Sequence, residues 1–290
     1  MSVFLLKIIA LATMIVDHTG FFLGNNSMVS SDVYSLMRAV GRIAFPIYAF
    51  LLVNGFQKTS NRQRYLSRLI LFAVLSQIPF TLTFSLSNYG YGNPEYFSLA
   101  FNYELLPYLA FTLCAVIAYI LLVKANISAL YMALFLLLGG IMWFQFRYVQ
   151  FLGGTLNIFY TLSFALAAMA VLDDLGDRDK SLVKTVVLGT LLAVATVLLV
   201  PNSDYGYMGL VLMLGLYVFR RWRAAQLAVI GLWCFFEYWG SGPQLMFWFS
   251  LISLLPVLLY NGKKGPAMKL AFYAVYPLHL LVLGVINIFI

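Results

Sequence analysis

Residues 4–23 read Phe4-Leu5-Leu6-Lys7-Ile8-Ile9-Ala10-Leu11-Ala12-Thr13-Met14-Ile15-Val16-Asp17-His18-Thr19-Gly20-Phe21-Phe22-Leu23. A helix of this length is about 30 Å long, the thickness of a bilayer's hydrocarbon core. Lys7 followed by an apolar centre has the outline of a signal peptide. No small-x-small cleavage site follows, and Asp17-His18 interrupts the far end. The segment therefore reads as a retained first membrane helix.

The rest of the chain repeats this pattern. Of 290 residues, 63% are hydrophobic and 10% charged, against roughly 45–50% and about 25% in a soluble domain. The mean hydropathy is +0.91. These values exclude a soluble enzyme, a disordered regulator and a nucleic-acid-binding domain, and indicate an all-α polytopic integral membrane bundle. Apolar stretches of spanning length predict helices over 4–23, 35–56, 66–86, 105–123, 127–145, 155–172, 183–200, 206–219, 224–240, 243–260 and 269–289. That is eleven, or ten if the short eighth or a re-entrant 139–160 does not cross. Connections are short, and neither an internal repeat nor a soluble domain is visible, so residues 1–290 read as one transmembrane domain. Cys114 and Cys234 each lie inside an apolar run, which argues against a disulfide framework or a thiolate metal site.

The basic residues give an orientation. With the N-terminus cytoplasmic, fifteen of eighteen Lys and Arg fall on the inner side, leaving Arg38, Arg42 and Arg147 towards the outside. The net charge of +8 thus follows a positive-inside bias rather than a nucleic-acid surface. Asp173, Asp174, Asp177 and Asp179 lie inside, and Asp17, Asp32, Glu95, Glu104, Asp204 and Glu237 lie towards the outside. The expectation is an N-in, C-out arrangement.

A charge at the centre of a spanning helix costs about 2.5–3.5 kcal/mol on insertion scales, so such residues face protein or a wet cavity. Here they gather in the predicted outer halves. Asp17 and His18 lie two-thirds along the first helix and Arg42 in the outer half of the second. Asn157 and Thr161 open the sixth, Asp204 and Tyr205 the eighth, Glu237 closes the ninth and His279 lies near the middle of the last. His18 and His279 are the chain's two histidines. A structural bridge between helices would use such residues, and so would proton transfer. A carboxylate beside an imidazole favours the imidazolium and can orient the ring. Consecutive helix residues diverge by about 100°, which leaves open whether Asp17 meets His18 or pairs with Arg42.

The predicted inner face carries two basic groups. One is Lys58, Arg62, Arg64 and Arg68, with Arg64 and Arg68 on one helix face; the other is Asn261-Gly262-Lys263-Lys264-Gly265. Both fit topology determinants beside anionic lipid, and both fit a phosphate clamp for a cytosolic nucleotide-bearing donor. The outer loop from Asn88 to Glu104, rich in Tyr, Gly and Asn, is placed to cover a site or meet an acceptor.

Several motifs, in order, resemble the TraX family. They are Leu6-Lys7-Ile8-Ile9-Ala10 with Met14-Ile15-Val16-Asp17-His18-Thr19-Gly20, then Gly41-Arg42-Ile43-Ala44-Phe45-Pro46-Ile47-Tyr48 running on to Asn54-Gly55-Phe56. Tyr65-Leu66-Ser67-Arg68-Leu69 and Ser76-Gln77-Ile78-Pro79-Phe80 follow. The second half adds Leu156-Asn157-Ile158-Phe159-Tyr160-Thr161-Leu162, Asp204-Tyr205-Gly206, Tyr260-Asn261-Gly262-Lys263-Lys264-Gly265 and Tyr276-Pro277-Leu278-His279-Leu280. Asn54 departs from an acid in many relatives and Tyr160 from a Phe or Leu, both outside the Asp-His and Pro-Leu-His motifs.

The resemblance implies a membrane acyltransferase. It would move an acetyl group from acetyl-CoA to an acceptor amine or hydroxyl at the outer face, on a pilin N-terminus or a cell-surface glycan. Read together, motifs and resemblance make His18 the general base with Asp17 beside it. His279 is then the second catalytic group, as acyl carrier, proton donor or oxyanion donor. Arg42 and Asn157 would polarise the carbonyl, and Asn157, Thr161, Asp204 and Tyr205 would hold the acceptor. Arg64, Arg68, Asn261, Lys263 and Lys264 would hold the CoA phosphates. No metal is expected, and a homodimer fits by fold-level analogy alone. Two other classes use the same residues: a proton-coupled transporter, which would move a solute without consuming acetyl-CoA, and a non-catalytic assembly protein indifferent to its histidines.

Overall fold

The structure, a computed structural model, describes residues 1–84, 155–176, 182–200, 203–240, 244–266 and 269–289. Among these, the elements are helices, with one isolated bridge between Leu156 and Ser203. In chain order the described helices are α1 Val3–Asn25, α2 Ser31–Gly41, α3 Ala44–Lys58, α4 Arg62–Phe84, α5 Ile158–Leu175 and α6 Leu182–Leu199. They continue with α7 Gly206–Val218, α8 Arg223–Tyr238, α9 Gln244–Ile252, α10 Leu254–Leu258 and α11 Lys269–Phe289. Nine of the eleven spans expected from hydropathy correspond to these helices, two of them as helix pairs. Spans 105–123 and 127–145, residues 139–154 of the 139–160 segment, Cys114, Arg147 and the Asn88–Glu104 loop lie outside the described residues, as do Lys124, Asp177, Arg178, Asp179 and Lys180.

Four described segments are long and apolar enough to cross a membrane: Val3–Asn25, Ser31–Lys58, Arg62–Phe84 and Ile158–Leu175. Side-chain placement fits an apolar surround. Val183 is 75% exposed and Phe236 68%, whereas Gln77, Asn157 and Thr161 are fully buried. A water-facing surface would reverse that preference.

The chain divides into two compact units, Met1–Lys58 with Val211–Ile290, and Thr59–Leu210. In the first, α1 packs on α2, α3 and α11, and α9 packs on α2 and α8. Hydroxyls start the first two helices: Ser2 Oγ accepts from the Leu5 N–H and Ser30 Oγ from that of Val33. Each such cap contributes about 1 kcal/mol. Gly20 and Gly24, one turn apart on α1, and Gly41 on α2 let these helices approach closely. A Cβ at these positions would overlap Met37, Tyr34 and Asp17 respectively.

The expected second helix, 35–56, is two helices. Pro46 supplies the reason. In a continuous helix its ring would clash with the Arg42 carbonyl and its missing N–H would break the ladder. The chain instead tightens at 42–43, where the Arg42 N–H bonds to the Ala39 carbonyl and the Ile43 N–H to that of Val40. The helix restarts at Ala44, leaving Pro46 in a first turn that needs no intrahelical N–H.

In the second unit α4 packs on α5 and α5 on α6. Asn61 Oδ1 accepts the Arg64 N–H at the start of α4, and Asn157 caps α5. The Asp204 N–H donates to the Leu156 carbonyl at 2.8 Å and ties the approach to α7 onto the approach to α5.

Candidate active site

Asp17 and His18 are neighbours on α1 with different partners. Asp17 accepts from Arg38 Nη1 through Oδ2 at 2.9 Å and from Arg42 Nη2 through Oδ1 at 2.8 Å. Arg38 and Arg42 lie one turn apart at the end of α2, and Arg42 Nε donates to the Arg38 carbonyl at 3.0 Å. Each carboxylate oxygen thus faces one guanidinium, and the cluster keeps one positive charge in excess. The absence of a Cβ at Gly41 is what lets Asp17 lie against α2.

His18 turns towards α11. Its Nδ1 lies 2.6 Å from His279 Nε2, and the two rings are near-parallel at 8° with centroids 4.9 Å apart. His279 Nδ1 lies 2.7 Å from the Val275 carbonyl oxygen. A carbonyl only accepts, so His279 Nδ1 carries a proton and donates it. In the neutral pair His279 Nε2 is then an acceptor, and His18 Nδ1–H is its donor. The His18 lone pair is consequently on Nε2, the tautomer a general base requires. Tyr276, one turn before His279, lies edge-on to both rings.

This arrangement differs from the sequence expectation at one point. The group oriented against His18 is His279, from a helix 261 residues away. Asp17 instead neutralises and fixes two arginines, as the angular divergence of adjacent helix positions allows. His18, Asp17, Arg42 and His279 do fall in one unit. From sequence alone Arg38 reads only as a topology charge and Tyr276 only as part of a motif. The four-residue spacing of Arg38 and Arg42 was the available signal.

The expected acceptor residues belong to the second unit. Asn157 is fully committed: Nδ2 donates to the Ala73 carbonyl at 2.7 Å and to Gln77 Oε1 at 2.8 Å, and its N–H donates to the same Oε1 at 3.0 Å. Its Oδ1 caps α5 at the Phe159 N–H, and Gln77 Nε2 donates to the Thr155 carbonyl. This makes Asn157 a brace between α4 and α5, with Gln77 the partner that sequence reading missed. Thr161 Oγ1 donates to the Asp204 carbonyl at 2.6 Å and lies 2.9 Å from Ser203 Oγ. Tyr205 and Gly206 both have positive φ, 59° and 43°. For a tyrosine that conformation is strained, and it turns the chain sharply into α7.

The expected phosphate-binding residues divide between the units. Arg64 and Arg68 are exposed on α4, with Arg68 over the Tyr65 ring, while neighbouring Arg62 pairs with Asp173 at 2.5 Å. In the other unit the 261–264 loop is fastened to the start of the chain. The Asn261 N–H donates to the Met1 carbonyl, and the Val3 and Phe4 N–H groups donate to the carbonyls of Lys263 and Lys264. Lys58 Nζ donates to the Tyr260 hydroxyl at 3.0 Å and to the Gly262 carbonyl at 3.3 Å. Asn261, Lys263 and Lys264 are exposed. Among the described residues, no group of three or more His, Cys, Asp or Glu side chains is placed to hold a metal ion.

A family model described as TraX protein matches residues 2–106 and 105–287. The chain belongs to the TraX family. A protein described as "Probable fimbrial assembly protein FimC, serogroup H1", from Dichelobacter nodosus, is 42% identical over 77 residues, 26% of this chain and 30% of that protein. The match thus spans less than a third of the relative's length. No solved structure matches this TraX-family chain.

Proposed function

We propose that this TraX-family protein is a multi-pass acyltransferase of a bacterial inner membrane, with its N-terminus cytoplasmic. It moves the acetyl group of cytosolic acetyl-CoA to an amine or hydroxyl on an acceptor at the periplasmic or extracellular face, a pilin N-terminus or a surface glycan. The observation that carries this reading is the hydrogen-bond order Val275 carbonyl, His279, His18, which leaves the His18 Nε2 lone pair as base beside an arginine-rich cluster.

The chemistry then balances. His18 Nε2 accepts the acceptor's N–H or O–H proton as its nitrogen or oxygen bonds to the thioester carbon. Negative charge collects on the carbonyl oxygen, which the positive excess of Arg38, Arg42 and Asp17 stabilises. As the C–S bond breaks, the proton on His18 passes to the departing thiolate. While His18 is an imidazolium, its Nδ1–H bond to neutral His279 is charge-assisted. His279 thus acts through His18, with no acyl-histidine step required. Asp204 and Tyr205, at a strained turn, are the acceptor-positioning candidates. Arg64, Arg68, Asn261, Lys263 and Lys264 are candidates for the phosphates.

Purified protein in nanodiscs, given radiolabelled acetyl-CoA, tests this. Saturable binding with thioester loss abolished by His18→Ala or His279→Ala is expected. Turnover at the native rate in His18→Ala sinks the assignment. A proton-coupled transporter draws on the same short His18–His279 bond as a proton path. It predicts solute flux with no loss of acetyl-CoA.

A further inference from the structure

The first turn of α8 carries a cation that the acyl-transfer chemistry does not use. The Arg223 guanidinium stands over two aromatic faces, 4.7 Å from the Phe50 ring centroid and 5.2 Å from that of Tyr260. Phe50 and Tyr260 are themselves edge to face at 5.3 Å, so α3, α8 and the turn after α10 meet here. The rings stand at 81° to each other, so they hold the charge by cation–π attraction and do not use its N–H donors. Arg223 Nη1 is buried and has no hydrogen-bond partner among the described residues. A shielded charged donor is costlier to leave without an acceptor than a neutral one, so Nη1 calls for an acceptor.

The surroundings specify that group's charge. Lys58 Nζ stands 5.5 Å from the same Tyr260 ring centroid, so two cations share one ring. Lys263 and Lys264 follow three and four residues after Tyr260. Gly262 and Gly265, with φ of 78° and 72°, turn this loop through a conformation that side chains disfavour. The acids of the unit are Asp17, Asp32 and Glu237. Asp17 is held by two arginines, and Asp32 lies in the first turn of α2. Glu237 lies fourteen residues along α8 from Arg223, on the order of 20 Å. Cations are thus gathered at Tyr260 without a carboxylate from their own unit to balance them.

We propose that Arg223, held by Phe50 and Tyr260 and flanked by Lys58 and the 261–264 loop, is the seat of a phosphate-bearing ligand. The guanidinium edge would make the directional contact, and the lysines would supply the surrounding charge. A soluble nucleotide and an anionic lipid headgroup share this chemistry. Choosing coenzyme A as the nucleotide rests on the acyl-transfer reading; the seat itself does not.

The test uses the full chain in phosphatidylcholine nanodiscs, titrated with radiolabelled pyrophosphate and with coenzyme A. A parallel arm follows retention of phosphatidylglycerol by native mass spectrometry. Arg223→Gln is expected to weaken binding about tenfold or more, and Arg223→Lys, which keeps charge without the fork, by an intermediate amount. Exposed Arg221→Gln should stay within about twofold. Loss of pyrophosphate and coenzyme A binding assigns the seat to a soluble ligand. Loss of phosphatidylglycerol retention alone assigns it to a headgroup. If Arg223→Gln does not fold, the Arg223→Lys loss relative to Arg221→Gln is the deciding measurement. Wild-type protein that binds none of the three overturns the proposal, as does a folded Arg223 variant that binds all three normally. Arg223-dependent binding in a protein that transfers no acetyl group keeps the seat and ends the acyl-transfer reading. Acetyl transfer with unchanged coenzyme A and lipid binding in Arg223→Gln does the reverse.

Discussion

Asp17 Oδ1 and Oδ2 each hold a different arginine, Arg42 at 2.8 Å and Arg38 at 2.9 Å, so one carboxylate organises two cations that would otherwise repel each other. The three positions are therefore unequal. Removing either arginine leaves a matched pair, whereas removing the carboxylate leaves two neighbouring cations with no shared counter-ion. Asp17→Asn is expected to destabilise the protein by about 3–5 kcal/mol, the range for breaking a buried ion pair. Arg38→Gln should cost distinctly less. Thermal unfolding in detergent, followed by size-exclusion chromatography, gives the comparison, and equal losses for both variants contradict it.

The His18–His279 bond makes a kinetic prediction. His279→Ala removes the acceptor of the His18 Nδ1 proton and with it the bias towards a lone pair on Nε2. Acetyl transfer should fall by about 10²–10⁴-fold, the usual contribution of positioned acid–base catalysis. Coenzyme A binding should hardly change, because His279 touches His18 and not the basic loop. A merely structural His279 would lower folded yield and binding together and leave the pH profile of residual activity as it was. A catalytic pair changes the shape of that profile.

Much of this arrangement was legible in the sequence, for reasons that also mark where legibility ends. Apolar length alone located α1, α4, α5 and α11, since a spanning helix needs little beyond composition. The insertion cost of ions marked Asp17, His18, Arg42 and His279 as inward-facing. Their pairing was not legible. His18 and His279 are 261 residues apart, and hydropathy carries no angular information about which neighbour each side chain meets. Arg38 was counted with the topology charges because its spacing to Arg42 has meaning only once Asp17 faces α2. From sequence Asn157 reads as available for a ligand because its bonds to Ala73 and Gln77 exist only once α4 lies alongside.

The Asn157 brace separates structure from substrate binding. Asn157→Ala removes the side chain serving Gln77 Oε1, the Ala73 carbonyl and the Phe159 N–H, all buried. The Phe159 N–H loses its acceptor while Gln77 Oε1 keeps the backbone N–H of residue 157, so a loss of about 1–3 kcal/mol in stability is expected. Acceptor KM in the surviving folded fraction should stay near the wild-type value. A raised KM with unchanged melting would return Asn157 to the acceptor site.

Pro46 gives the sharpest division between stability and activity. It breaks the second apolar span at Arg42–Ile43, and the break sets the end of α2 from which Arg42 reaches Asp17. In Pro46→Ala the restored N–H can bond the Arg42 carbonyl and carry the helix through the break. The penalty of about 3 kcal/mol that a proline would carry inside a continuous helix, which forces the break in the wild type, is then absent. Arg42 is already helical, so continuing the helix would redirect α3, which packs on α1, and strain the α1–α2 contact through which Arg42 meets Asp17. Pro46→Ala should therefore melt at or above the wild-type temperature and still lose acetyl transfer. Arg42→Gln should reproduce the activity loss, and combining the two substitutions should add little. Full activity in a Pro46→Ala protein whose helix is continuous by hydrogen exchange would show that the break does not position Arg42.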